Sequence, residues 1–289
     1  MDTAGKILVT GATGSLGLEV VKALHYGGYH IRAMINDVED ISKITAYTDD
    51  IYIADARKPK QLSGICDDIT ILISTVGKSV SIFKSDRGTY DSIDYQGNLN
   101  ILSEAEKSGV SRVIFTSILG CHEDNPLKLS KVHHGVEQYI TQNFRNFSIF
   151  RPTGFFSGLN DLIILGKRGI IPVIGKGDYK SNSIHQADLA SAIMDMLHEG
   201  PDLIEIGGPE IHTRIDLAKM IRKKTGGRII HVPSIFVRGA ISVIWPIKAS
   251  LYHNMDYYRY VTTRDMIGTR YGRRTFAAYL ETLDLDKLP

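Results

Sequence analysis

Glycines 11, 14 and 17 stand in the run ILVTGATGSLGLEVV, between a β-branched stretch and an amphipathic one. Glycine there lets the backbone turn tightly and come close to an anion, while the helix that follows offers free N–H groups and the positive end of its dipole. The chemistry this spacing serves is the cradling of a pyrophosphate. A second group is PLKLSKVHH at 126–134, where Lys131, His133 and His134 could form a proton-transfer cluster, a ligand clamp or the polar side of a helix. On a helix, positions two and three after Lys131 leave its face, so His133 and His134 are expected in surface or packing roles. The cysteines, Cys66 and Cys121, have neither metal-ligand spacing nor a disulfide framework. His122, Glu123 and Asp124 follow Cys121, but four adjacent residues cannot all surround one ion, so no metal site is expected.

Such residues need strands and helices to hold them. Short apolar runs alternate with amphipathic stretches through the first half: KILVT at 6, YHIRAMI at 29, DIYIA at 50, ITILIST at 69, RVIFTS at 112 and FSIFR at 147. Helical segments lie between them, among them SLGLEVVKALHYGG, YDSIDYQGNLNILSEAEKSG and LKLSKVHHGVEQYITQNF. Continuous apolar strands separated by helices imply a parallel sheet covered on both faces, an α/β doubly wound fold. After Arg151 the rhythm loosens into Gly- and Pro-bearing loops, with helices expected near 187–198, 213–226 and 273–284. DLIEIGG at 202 is expected to add a strand to the first sheet, near 202–206.

With 289 residues, 34 Lys+Arg against 32 Asp+Glu, and a net charge of +2, the chain gives no reason to expect nucleic acid. The acidic N-terminus runs straight into the glycine turn without a signal-peptide pattern, and the cysteine usage suits a reducing compartment, so a cytoplasmic protein is expected. SIFVRGAISVIWPIKA is interrupted by Arg238, Pro246 and Lys248, so no membrane span is expected.

The glycine spacing is GxxGxxG, and it is joined by DYQGNLNILSEAEKSGVSRVIFTSILG at 94, RPTGFFSGL at 151, IHQADLASAI at 184, IGGPE at 206 and RYGRRTFAAYL at 270. In these motifs the chain resembles the short-chain dehydrogenase/reductase superfamily, in its atypical, NmrA-like branch of NAD(P)-binding proteins. The resemblance implies a Rossmann-type doubly wound sheet over residues 1–153, and a smaller, mainly helical substrate lobe over 154–289. It implies that Gly11, Thr13, Gly14, Ser15, Leu16 and Gly17 wrap the pyrophosphate, and that Asp55 and Ala56 meet the adenine. Ser74, Thr75 and Val76 would line the riboses, Pro152, Thr153, Gly154 and Phe155 the nicotinamide, and Phe155 with Phe156 the substrate pocket. His185 and Asp188 read as a helix start with a cap. SLYHNMDYYRYV, with Trp245 upstream, reads as a cover for the substrate mouth or a partner surface.

Two departures follow. At the end of the second strand the acid that reads a ribose 2′-hydroxyl is replaced by Ile35, and the arginine that reads a 2′-phosphate by Asn36; Arg32 is a candidate to reach over, and discrimination between NAD and NADP is expected to stay within about tenfold. In the family a tyrosine four residues before a lysine handles the proton. Before Lys131 that position is Leu127, the serine position is Ile118 with Ser117 one place off, and the asparagine position is Asp94. Lys131 is thus expected to clamp the nicotinamide ribose, with Lys131 and Ser117 as the catalytic candidates. The implied function is an NAD(P)-dependent oxidoreductase acting on a small carbonyl or enone-like substrate without the usual tyrosine. The alternative is a non-catalytic NAD(P)-binding redox sensor or assembly factor, with a protein partner or a second copy of the chain.

Overall fold

The computed structural model describes residues 5–83, 88–237, 239 and 249–288. Its centre is an eight-stranded sheet built from β1 (Lys6–Thr10), β2 (Ile31–Ile35), β3 (Asp50–Ile53), β4 (Ile69–Ser74), β5 (Arg112–Thr116), β6 (Phe147–Pro152), β9 (Leu203–Gly207) and β12 (Thr269–Arg270). The spatial order is β12-β9-β6-β5-β4-β1-β2-β3, and every neighbouring pair is parallel.

Strand β1 shows why the sheet must be covered twice. Ile7 and Val9 are fully buried on one face and Leu8 on the other. Each such side chain contributes about 1.5–3 kcal/mol by leaving water. The first face packs under α1 (Ser15–Tyr26) and α5 (Gln186–Asp195), through Val20, Val21, Leu24, Leu189 and Ile193. The second packs under α2 (Asn98–Lys107) and α3 (Lys128–Asn143), through Ile101, Leu102, Val136 and Ile140. This is the doubly wound arrangement expected from the alternating runs, and of the Rossmann type that the family resemblance implies.

A smaller unit has its own core of Phe156, Ile163, Ile171, Val173, Leu217, Ile221, Phe276 and Leu280. Phe156 comes from the 3-10 turn Phe156–Leu159, and the others from α4 (Asn160–Lys167), β7 (Ile170–Ile174), α6 (Arg214–Thr225) and α8 (Phe276–Thr282), with β7 paired to β11 (Arg228–Val232). A short antiparallel pair, β8 (Lys180–Ser181) with β10 (His212–Thr213), lies beside it. Helix α7 (Ala249–Thr262) carries the tyrosine-rich run. Its inner side is anchored: Tyr260 is buried with Leu127 and Met266, and the Tyr258 hydroxyl donates to Asp161 at 2.8 Å. Among the described residues no helix is long and apolar enough to cross a membrane. Most of the apolar segment around Trp245 lies outside the described residues.

Candidate dinucleotide site

Strand β1 sits between β2 and β4, so chain order reverses there and the carboxyl ends of the strands leave a crevice. A cleft of about 1260 Å³ occupies it. Its floor is the turn after β1, where Gly11 has φ +72, a conformation that disfavours any side chain. The Thr75 hydroxyl donates to the Thr10 carbonyl at 2.8 Å and latches this turn to the end of β4. At Gly17 an added Cβ would lie 2.1 Å from the Gly11 carbonyl oxygen, so only glycine lets α1 start this close to the turn. Gly14 caps α1 without a side-chain bond, the first turn carries no acid, and the first bond along the helix is Leu18 N–H to Gly14 at 2.9 Å. The amides ahead of it are left for an anion.

Of the residues expected at the dinucleotide, Gly11, Thr13, Gly14, Asn36, Asp55, Ala56, Thr75 and Val76 line the cleft. Ser15 is exposed beside it, whereas Leu16 and Gly17 are buried beneath it. Ser74 braces the site from behind. Its hydroxyl donates to Asn98 Oδ1 at 2.7 Å and accepts from Thr10 at 3.1 Å, while the Asn98 amide donates to the carbonyls of Val76 and Asp94.

Other expected residues lie elsewhere in the fold. Arg32 does not line the cleft: its guanidinium binds Asp50 at 3.1 Å and the carbonyls of Ile65 and Asp67 at 3.0 Å, because β3 and the following loop offer acceptors on that side. Phe156 is 3% exposed and stacks within the smaller core, with ring centroids 5.4 Å from Phe276 and 5.6 Å from Tyr279. Pro152, Thr153, Gly154 and Phe155 are not among the lining residues. Thr153 instead ties β6 to its neighbours, its N–H bonding Ile206 and its hydroxyl Asn182, and the Gly154 carbonyl accepts from Ile184 at 2.8 Å. Phe155 packs half-buried against the core under α1 and α5.

Lys131 is exposed, is absent from the cleft lining, and makes no ion pair or side-chain hydrogen bond among the described residues. The residue of α3 that turns inward at the end of β4 is His133. It is 5% exposed, lies on Phe115, and places Nε2 3.5 Å from the Asp94 carboxylate; its Nδ1 is buried with no partner among the described residues. Asp94 is 1% exposed and sits in a wider-wound helical turn over Asp91–Gly97, a distortion that recurs at functional sites. Both of its oxygens accept from the Lys78 amide at 3.2 Å, and a Cβ on Gly77 would meet one of them at 3.3 Å. Gly77 and Lys78 line the cleft, so the His133–Asp94 pair lies directly behind its wall. Burial raises the Asp94 carboxyl above its ordinary value, against the opposing pull of His133 and the Lys78 amide. One turn before His133 stands Leu129, so no tyrosine occupies that place either; with Tyr90, Val132, Val80 and Ile118 it forms an apolar wall.

Ser117 is buried, with a hydroxyl that has no partner among the described residues. Cys121, His134 and Glu137 bring one ligand atom each within 4.8 Å of one another, a grouping that chain spacing conceals because α3 supplies two of the three. Glu137 is already held by Arg151 in a two-point ion pair, 2.9 and 2.5 Å, and that cation opposes a metal ion on the same carboxylate. His185 caps α5 through Nδ1, accepting from the Ala187 N–H at 3.1 Å.

The NAD(P)H-binding family model matches residues 11–200. The Photosystem II assembly factor Ycf39 of Cyanophora paradoxa is 27% identical over 153 residues, 53% of this chain and 46% of that protein. The chain thus spans about half the length of that relative. The chloroplastic divinyl chlorophyllide a 8-vinyl-reductase of Zea mays is 26% identical over 261 residues, 83% of this chain and 64% of that one. An NADPH-dependent quinone oxidoreductase from Escherichia coli, solved with NADPH, shares the fold at TM-score 0.73 and 18% identity, covering 95% of this chain and 98% of that one. The triphenylmethane reductase of Citrobacter sp., solved with NADP(H), does so at TM-score 0.67 and 19% identity, covering 98% and 96%.

Proposed function

The chain belongs to the NAD(P)H-binding family, and from that premise we propose that it is an NAD(P)-dependent oxidoreductase acting on a small carbonyl or enone-like substrate, with His133 in place of the usual tyrosine and lysine. The observation that carries this reading is the buried His133–Asp94 pair behind Gly77 and Lys78. Residues 1–153, completed by β9 and β12, serve as the dinucleotide-binding domain, and 154–289 supply the substrate lobe.

The cleft fits the cofactor on its own terms. The glycine turn is a cradle that side chains would fill, and the open amides of α1 suit a pyrophosphate. When bound, a reduced nicotinamide supplies hydride. The chain's own residues do the rest. The α1 amides hold the pyrophosphate, and Asp55 and Ala56 flank the adenine. Asp94 holds the imidazole through Nε2, which leaves Nδ1 as the atom that would give the proton to the substrate oxygen or carbon. Leu129, Ile118 and Val80 keep water from the reacting centre.

The test is NAD(P)H oxidation with a panel of quinones, aldehydes, ketones and enones. His133→Ala should cut turnover by roughly 10²-fold, the usual scale of general acid catalysis. Lys131→Met should change it less than about twofold. Full activity in His133→Ala would overturn the assignment.

A second reading, a non-catalytic NAD(P)-binding regulator or assembly factor, is favoured by one observation. Neither His133 nor Asp94 lines the cleft, and Nδ1 of His133 is sealed from solvent. Tight dinucleotide binding with no turnover on any acceptor would select it.

A further inference from the structure

Asn36, at the end of β2, offers no charge to a ribose 2′ substituent, yet the neighbouring strand brings charge to the same place. Ile35 pairs with Ile53, and the Ala54 N–H bonds the Ile35 carbonyl at 2.9 Å, so the loop after β3 stands beside Asn36. That loop carries Arg57, Lys58 and Lys60, all lining the cleft. Arg57 is committed to Asp55 by a two-point ion pair, with contacts of 2.9 and 2.7 Å. Lys58 and Lys60 are exposed and make no ion pair or side-chain hydrogen bond among the described residues. The loop that holds them is stiff. Lys58 N–H bonds Asp55 O at 2.8 Å, Gln61 N–H bonds Lys58 O at 2.9 Å, the Gln61 side chain accepts from Asp55 N–H at 2.9 Å, and Pro59 fixes its own φ.

Across the lip stand Asp37, which lines the cleft, and exposed Glu39, and both oppose an anion there; among the described residues only Asp40 is neutralised by a cation. Asp37 accepts from the Glu39 N–H at 3.2 Å, and Asp40 is paired with Lys43. The α1 amides are assigned to the pyrophosphate, and Lys58, although it lies in the field of Asp55, adds with Lys60 two exposed ammonium groups to the lining near the adenosine end, where they suit a further anion. Resting on the dinucleotide-binding reading, we propose that Lys58 and Lys60 form a 2′-phosphate site, and that the chain selects NADP(H) over NAD(H) from the loop after β3 rather than from the end of β2. The preference therefore exceeds the tenfold limit that Asn36 alone would set.

Calorimetry of NADPH and NADH binding to the parent, Lys58→Gln, Lys60→Gln and the double variant tests this. At about 0.05 M salt the parent should favour NADPH by more than about tenfold, and the gap should narrow at about 0.3 M salt, where screening shortens the reach of exposed charges. The double variant should lose NADPH affinity until the preference falls below about threefold, with NADH affinity unchanged. 2′,5′-ADP and 5′-AMP should show the same contrast, isolating the phosphate from the nicotinamide. Equal affinities in the parent, a preference for NADH, or a preference that survives in the double variant would overturn the proposal while leaving dinucleotide binding intact. Binding of neither dinucleotide would overturn both.

Discussion

Two residues apart on α3, Lys131 and His133 are about 200° apart around the helix axis, and that angle separates solvent from the interior. The inward position belongs to the imidazole, and its partner Asp94 carries the electrostatic consequence. Burial raises the Asp94 carboxyl above its ordinary 3.8, so the folded state holds this proton more tightly than the unfolded chain does. Its contribution to stability is full below the ordinary value and is lost as pH rises through the folded one. Asp94→Asn cannot ionise and should lack this dependence. Thermal melts from pH 4 to 7 should show the variant gaining on the parent as pH rises, and a constant difference between them would refute the raised carboxyl. Lys58 and Lys60 teach the same lesson, since their charge was visible in the chain and their place on the same cleft as Asn36 was not.

The first strand, turn and helix act as one element, because the backbone of the turn is the ceiling against which α1 packs. Gly17→Ala puts a methyl 2.1 Å from the Gly11 carbonyl, and neither backbone can yield without moving the turn. The variant should lose about 1–3 kcal/mol of stability through overpacking. It should also bind either dinucleotide at least about tenfold more weakly, since the amides that receive the pyrophosphate are displaced. Gly158→Ala is the control: nothing lies within 4 Å of its added Cβ, so urea midpoint and affinity should both stay near the parent's. Equal behaviour of the two variants would mean that the turn tolerates displacement. The π-wound turn at Asp91–Gly97 is the counterpart on the other side of the cleft, carrying Asp94 toward Lys78.

At the scale of the molecule, several motifs of the second half hold the sheet and the smaller core together rather than touching the cleft. Asp188, 3% exposed on α5, accepts from the amides of Arg273 and Arg274 and from the Arg274 guanidinium. It thereby fastens the segment between β12 and α8 to the helix that covers β1. Asp188→Ala should cost about 2–3 kcal/mol in urea unfolding, the scale of leaving buried amides unpaired, with Arg274 half-exposed and able to find water. Dinucleotide affinity should change little. A large loss of affinity without loss of stability would place Asp188 in the binding machinery instead.

The sequence by itself determined the parallel sheet, because fully apolar strands between amphipathic helices leave no other way to bury both faces. It also determined the glycine turn and its helix, whose geometry is local to a dozen residues. It also placed Leu127 where the family's tyrosine stands, four residues before Lys131. Only the folded chain shows that His133 rather than Lys131 is the buried member of the α3 cluster, that Arg32 serves Asp50, that Phe156 fills the smaller core, and that Lys58 and Lys60 line the same cleft as Asn36. The reason is range. Periodicity reports how a segment winds, whereas the direction a side chain faces depends on strands and helices brought together from distant parts of the chain.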